Sequence, residues 1–190
     1  MMQKIYDERV QSKKLMLIAK QEYEKAPSTE LEKAISKYNN IQMARKIQLN
    51  SAYGAIGNQY FRYYNLTNAE AITLSGQTSI RWIENKVNGY LNKLLNTSKK
   101  DYVIASDTDS IYLCLNELVT KVYGDKDVSQ EKIVNFLDKA CKEKIEPFID
   151  RSYQELAHYT TAYEQTLFMT RETIDSRGIW TAKKRYILTV

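Results

Sequence analysis

Two long, highly charged helical patterns separated by Ala26-Pro27-Ser28 constrain this chain more than any other feature. Residues 3–25 are rich in Lys, Glu and Gln, which all favour helix. Pro27 cannot extend that helix, because it lacks an amide hydrogen and clashes with the preceding turn. Thr29-Glu30-Leu31-Glu32 fits a capping box, so a second helix starts there. Leu31, Ile35 and Tyr38 follow at helical spacing, and the pattern runs to about Ile56, where Gly54 and Gly57 are expected to close it. Two long helices joined by a short turn predict an antiparallel hairpin. Its polar character predicts that it projects from the body rather than lying in a core.

Tyr60-Phe61-Arg62-Tyr63-Tyr64 reads as an aromatic connector. A third helix is expected over about Thr67–Leu95, burying Ile72, Trp82, Ile83, Val87, Tyr90 and Leu91. Tyr102–Ala105 and Ser110–Leu115 are short β runs, and the four residues from Ser106 to Asp109 between them predict a β-hairpin. Ser129 is expected to cap a helical stretch to about Tyr159, bent or restarted at Pro147. Strands are expected over Leu167–Ile174 and Ile179–Val190. The fold class is therefore α+β: a long antiparallel helix hairpin, then an antiparallel β-sheet with packing helices. The 190 residues suffice for one domain or a compact part of a larger one. The last β run, Arg185–Val190, ends without a cap or polar tail, which reads as a truncated or split sequence. An exposed terminal strand also predicts marginal stability or oligomerisation.

The residue inventory narrows the chemistry. Cys114 and Cys141 form no CxxC, and His158 is the single histidine, so disulfide and thiolate-zinc frameworks are disfavoured. A metal here must use carboxylates, which favours magnesium or manganese. The net charge of +5 permits a polyanionic partner without requiring one. Tyrosine, at 15 of 190 residues, suits base stacking and half-buried packing equally. The start, Met1-Met2-Gln3-Lys4, shows no signal peptide, and no apolar run is long enough to span a membrane; a soluble intracellular protein is the expectation.

Four constellations could carry chemistry. Asp107 and Asp109 flank Thr108 at the expected hairpin tip, and strand alternation lets them share one side. Two nearby carboxylates repel, a divalent cation relieves that cost, and the result suits phosphoryl chemistry. The bare pattern is also an ordinary turn, because Asp and Thr bond local backbone. Lys46, Asn50, Tyr53 and Gly57 lie on one helical face. There a lysine can hold a triphosphate, Asn50 can bond phosphate or sugar, and Tyr53 can flank a base, with Gly54 and Gly57 leaving room. A solvated lysine beside a half-buried tyrosine fits the same spacing. Arg9 and Lys13, four apart, could reach one phosphate tail or be plain solvated charges. Lys183-Lys184-Arg185-Tyr186 in a β segment calls for an anionic neighbour such as a DNA backbone, or is an edge strand protected by charge.

In combination these segments resemble family B DNA polymerases, particularly the replicative polymerases of T-even-type bacteriophages. Lys46-Ile47-Gln48-Leu49-Asn50-Ser51-Ala52-Tyr53-Gly54 is similar to that family's KxxxNSxYG motif, Asp107-Thr108-Asp109-Ser110 to its DTDS, and Lys183-Lys184-Arg185-Tyr186 to its KKRY. Phe61-Arg62-Tyr63-Tyr64 and Gly178-Ile179-Trp180 extend the likeness, which covers essentially the whole chain. The resemblance implies a fingers helical hairpin over 1–58 and a partial palm over 59–190, with the DTDS hairpin in the palm sheet. It implies templated transfer of a dNTP onto the 3′-hydroxyl of primer–template DNA, in the cytoplasm of an infected host bacterium, without membrane association.

The site roles come with the resemblance. Lys46 would bind the incoming triphosphate, with Arg9 and Lys13 from the opposing helix and Asn50 nearby; Tyr53 and Gly54 would line the nascent base-pair pocket. Asp109 would be the principal metal ligand and Asp107 a second acidic residue near the primer end. Glu172, in Met169-Thr170-Arg171-Glu172, matches an acidic palm residue near the metals. Lys183, Lys184, Arg185 and Tyr186 would contact duplex. The cofactor would be two Mg2+ ions, with Mn2+ as a substitute.

The chain departs from the family pattern in places. Ser106 stands where glycine usually precedes DTDS, and the DxxSLYPS motif with the other catalytic aspartate is absent from these residues. So are an exonuclease, an N-terminal domain and a thumb. The second metal site is thus incomplete, and the isolated chain is expected not to polymerise DNA. Rival readings are a subunit of a split polymerase, a non-catalytic nucleic-acid-binding remnant, and a DxD sugar-nucleotide transferase; the last has no need of a projecting basic hairpin.

Overall fold

The computed structural model describes residues 2–124, 128–182 and 184–189. Its elements are α1 (Met2–Lys25), α2 (Thr29–Ile56), α3 (Leu66–Leu95), β1 (Val103–Asp107), β2 (Ser110–Leu113), α4 (Asn116–Tyr123), α5 (Gln130–Ala140), a π turn (Cys141–Ile145), α6 (Glu146–Tyr159), β3 (Arg177–Ala182) and β4 (Arg185–Thr189). The chain is α+β, with two separate two-stranded antiparallel sheets. It divides into two compact units, which part within α3 between Thr73 and Leu74.

In the first unit α1 packs on α2. The Arg45–Glu8 ion pair, 2.7 Å, joins the end of α2 to the start of α1 and so makes the pair antiparallel. Sheltered positions Ile5, Arg9, Ser12, Met16, Ala19 and Tyr23 of α1 are spaced alternately by four and three. Leu31, Ile35, Tyr38, Gln42, Arg45, Leu49, Ala52 and Ile56 continue that spacing in α2. This is the 3.5-residue repeat of a coiled-coil seam. The seam is apolar near the connecting turn and again at its far end, around Ile5, Leu49, Ala52 and Ile56, with Arg9, Ser12, Gln42 and Arg45 between. Two of these polar groups bond within their own helices: Ser12 Oγ donates to Glu8 O (2.8 Å) and Gln42 Nε2 to Asn39 Oδ1 (3.0 Å).

The ends of α2 differ from expectation. Ser28, not Thr29, is the N-cap: Ser28 is extended (φ −143°, ψ 149°) and its Oγ accepts from Leu31 N at 3.2 Å, whereas Thr29 is already helical. Gly54 lies inside the helix, and Gly57 alone forms the C-cap, with an ordinary right-handed φ of −82°. Asn65 then holds the start of α3, accepting from Asn68 N (2.9 Å) while its own amide donates to Ile56 O (3.0 Å).

In the second unit Ile83, Val87, Leu91 and Leu95 recur every fourth residue on α3. They pack with Tyr102 and Val103 and with Cys141, Ile145, Ile149, Tyr153 and Leu156. Trp82 and Tyr90 border this core, Trp82 donating from Nε1 to Ser152 O (2.9 Å) and Tyr90 stacking on Phe148 (4.4 Å). Ile72, expected to be buried, is 52 % exposed. It lies in the first unit, short of the core its helix later enters.

Three further expectations change. β2 stops at Leu113, and the polar residues after it form α4, which the apolar run had hidden. Ser129 takes the N-cap position of α5 without a side-chain cap bond. The bend marked by Pro147 is a π turn just before it, where Glu146 N bonds back to Cys141 O. Proline in an α-helix would strand and clash with the carbonyl four residues earlier, and widening the preceding turn relieves this.

Leu167–Ile174 is not a strand. Side-chain ties hold it instead: Gln165 Oε1 accepts from Leu167 N (2.6 Å), Glu146 Oε1 accepts from Arg171 N (2.9 Å), and the Arg171 guanidinium pairs with Asp138. Met169 packs against the core. Nor is 179–190 one strand; it is divided between the two arms of the β3–β4 hairpin. A Cβ on Gly178 would stand 2.6 Å from the Trp180 indole and 2.9 Å from Leu188, so only glycine admits that close approach.

Candidate functional site

The aspartate turn belongs to the second unit. β1 alternates in burial, although its pairing shifts between Val103 and Ala105: Val103 is buried, Ala105 and Asp107 are half-buried, and Ile104 and Ser106 are exposed. Asp107 opposite Ser110 is the last ladder pair, so the turn is two residues, Thr108-Asp109, not four. Thr108 has φ +53°, and Asp109 N donates to Asp107 O at 2.6 Å. An i→i+2 bond about a positive-φ residue is a strained γ-turn, and a β-branched residue there is an outlier. Strain of this kind persists only where the surroundings hold it.

The two aspartates are therefore unequal. Asp107 Oδ1 accepts from Thr108 Oγ1 (2.9 Å), and Asp107 O accepts from Ser110 Oγ (3.1 Å). Asp109 is exposed, and its carboxylate takes no hydrogen bond from a described residue. It lies in the turn, so strand alternation does not place it on the side of Asp107. Two carboxylates with free oxygens, two residues apart, form a hard-oxygen donor set that suits magnesium. Among the described residues, however, no three His, Cys, Asp or Glu side chains are grouped to hold a metal. Glu172 is exposed in the irregular segment, beside the Arg171 tie, and does not complete such a group.

The β3–β4 hairpin docks beside this turn. Trp180 and Tyr186, cross-strand partners, both meet the Tyr112 ring edge-on, at 5.3 Å and 5.5 Å between centroids. Tyr112 pairs with Ala105 in the aspartate hairpin. Its phenol is raised above the ordinary value by the Tyr186 hydroxyl and by burial. Lys184 sits in the tight turn, with φ +62°, while Arg185 and Tyr186 open β4. Thus the basic run caps a hairpin rather than lying within a strand. Lys183 lies outside the described residues.

The remaining candidates belong to the first unit. Lys46, Asn50 and Tyr53 are all exposed on one face of α2, beside the seam. Arg45 is neutralised by Glu8, and Lys46 makes no ion pair among the described residues. The Tyr53 hydroxyl shares a hydrogen bond with Thr73 Oγ1 (2.7 Å), which fixes its ring against α3; no local pattern marks this partner, twenty residues away. A Cβ at Gly54 would meet open space. Arg9 and Lys13 differ in setting. Lys13 is exposed, whereas Arg9 is half-buried in the seam, its Nε shielded and without a partner among the described residues.

Known proteins are similar to this chain along most of its length. The family model for DNA polymerase family B matches residues 1–190. The chain is 46% identical over 169 residues to the DNA-directed DNA polymerase of Enterobacteria phage T4, covering 85% of this chain and 19% of that protein. It is 45% identical over 157 residues to the DNA-directed DNA polymerase of Escherichia phage RB69, covering 78% and 17%. A DNA polymerase beta of African swine fever virus is 32% identical over 106 residues, 55% of this chain and 8% of the relative. The chain thus spans about a fifth of the length of its phage relatives. No described helix is long and apolar enough to cross a membrane. With all 190 residues matched by the one family model, this chain belongs to DNA polymerase family B.

Proposed function

We propose that this chain supplies the fingers hairpin, residues 1–58, and part of the palm, residues 59–190, of a phage DNA-directed DNA polymerase working in the infected host cell. The observation that carries this reading is the strained turn presenting Asp107 and Asp109, in a chain matched throughout by the polymerase family. The reaction is attack of a primer 3′-hydroxyl on the α-phosphate of a dNTP templated by DNA.

Each group does work suited to its setting. Lys46, exposed and without an ion pair among the described residues, grips the triphosphate as a point charge, and Lys13 and Asn50 add contacts. Arg9, on the seam, offers its guanidinium from the opposing helix. Tyr53, tethered by Thr73, presents a fixed ring to the nascent base pair, and Gly54 leaves room beside it. Asp109, with Asp107 behind it, would hold the divalent cation, and Glu172 stands apart from that pair. The cation, when bound, would neutralise charge on the transferring phosphate. Lys183, Lys184, Arg185 and Tyr186 hold the primer–template backbone. Catalysis rests on positioning and charge, not on a covalent intermediate.

Calorimetric titration with a dNTP in magnesium tests the grip. Lys46→Ala should weaken binding about tenfold or more, the worth of a charge-assisted hydrogen bond. Equal affinity in the two proteins removes Lys46 from the site. Primer extension by the chain alone is expected to be absent, because the turn supplies only part of the carboxylate set; template-dependent extension would refute that.

A further inference from the structure

Asn88 and Asn92 lie one turn apart on α3, outside every motif of the sequence. Asn88 Oδ1 accepts from two successive backbone amides, Tyr102 N (2.8 Å) and Val103 N (3.1 Å). Its Nδ2 donates to Asp101 Oδ1 (2.7 Å). Asn92 is equally engaged: its Oδ1 accepts from Lys100 N (3.0 Å) and Thr97 Oγ1 (2.9 Å), and its Nδ2 donates to Lys100 O (2.7 Å). A carboxamide sets an acceptor oxygen with two lone pairs beside a nitrogen with two donor hydrogens, which matches this set of partners. The two asparagines thus pin the backbone that enters β1.

This pin acts on the aspartate turn through register. Side chains in a strand alternate, so a slip of one residue exchanges the inward and outward sets. Val103 faces Leu113, which packs with it against the core, whereas Ala105 and Asp107 face Tyr112 and Ser110 on the other side of the hairpin. The change of side follows from the shift in pairing between Val103 and Ala105, so the side that Asp107 takes depends on where that irregularity falls. The Asn88 bonds hold the strand on the α3 side of that irregularity, where Val103 pairs with Leu113 and Cys114 N donates to Tyr102 O (2.8 Å).

We propose that Asn88 is a positioning residue for the aspartate turn: by fixing the two amides at the start of β1 it sets the side of the hairpin that Asp107 takes and leaves Asp109 in the turn beyond it. The proposal rests on the metal-holding reading of that turn. Groups just behind metal ligands typically change affinity by about ten- to a hundredfold when removed.

The test titrates the full chain with Mn2+, followed by electron paramagnetic resonance, in wild type, Asn88→Ala, Asp109→Asn and Val87→Ala. Val87 is wholly buried on the same helix, so its truncation controls for simple loss of stability. Asn88→Ala should bind Mn2+ about tenfold more weakly or worse, while Val87→Ala melts earlier yet binds like wild type. Equal affinity of Asn88→Ala and wild type overturns the proposal, as does equal loss in Val87→Ala. If wild type shows no binding that Asp109→Asn removes, the metal reading fails instead. Amide hydrogen exchange over residues 102–113 then decides: faster exchange in Asn88→Ala than in Val87→Ala supports the register pin, and exchange no faster than in Val87→Ala overturns it.

Discussion

The two hairpins of this protein present candidate chemistry by different physical means. The α1–α2 hairpin is built locally, from helix propensity, one cap and a seam in which Met16 and Ala19 are buried beside Ser12 and Gln42. It carries Lys46, Asn50 and Tyr53 on an exposed face. The β1–β2 hairpin is four or five residues a side and would be marginal alone. Its shape comes from distant partners: the α3 core beneath Val103, Asn88 at its start, and Tyr102 OH donating to Glu117 Oε2 (2.6 Å). A cationic grip on a mobile polyphosphate tolerates a flexible side chain on a rigid rod. A carboxylate turn needs its oxygens held in place, and here that demands a core.

Truncating that core should have the largest effect. Leu91→Ala removes a side chain with no exposed surface and should cost about 2–5 kcal/mol. Urea unfolding followed by tryptophan fluorescence reads this directly, because Trp82 and Trp180 both belong to the second unit. Met16→Ala in the seam should cost less, towards about 2 kcal/mol, since among the described residues of that seam only Ala19 is buried with it as an apolar side chain. Equal costs would break the contrast between the units.

Gly178→Ala comes next. The added methyl meets Trp180 and Leu188, so the β3–β4 hairpin should lose about 1–3 kcal/mol. Because Trp180 and Tyr186 both touch Tyr112, near-ultraviolet circular dichroism should change with it. An unchanged spectrum would show that the aromatic contact does not depend on that close approach.

Acid should loosen the second unit by a smaller amount. Lys100, and then the Tyr102 hydroxyl, hold Glu117 below its ordinary value; Lys142, and then Arg171, do the same for Asp138. A carboxylate lowered in the folded state stabilises it fully above the unfolded pKa, and that contribution is lost as pH falls through the folded one. Midpoints in urea should therefore fall below about pH 4. Lys100→Met with Arg171→Met should flatten this dependence; an unaltered slope would remove these pairs as its cause. The smallest effect belongs to the first unit: Glu8→Gln breaks a half-exposed pair with Arg45 and should cost about 0.5 kcal/mol. A change several times larger would mean that this pair, rather than the seam, aligns the helices.

The π turn shows how a local irregularity serves a distant contact. Asp138 and Glu146 both hold Arg171, one by its guanidinium and one by its backbone amide. Eight residues of regular α-helix would leave them about 80° apart around the axis. The wider turn between them, Cys141–Ile145, reduces that angle and lets both face the same segment. Pro147 signalled a bend, but nothing in the local pattern named its purpose.

What the sequence determined by itself was whatever neighbours along the chain decide. Periodicity and Pro27 set the helical hairpin, two apolar runs set the aspartate hairpin, and three ordered motifs indicated the family. What only the tertiary structure decided was whatever needs a partner far away in sequence. Leu167–Ile174 reads as a strand but finds no ladder, so side chains hold it instead. Arg9 resembles a solvated charge four residues from Lys13, yet the facing helix draws it into the seam. Asn88 resembles an ordinary polar residue on a helix until the backbone of β1 reaches it. Helical spacing and turn chemistry act over three or four residues, whereas burial and register depend on which segments meet after the chain has folded.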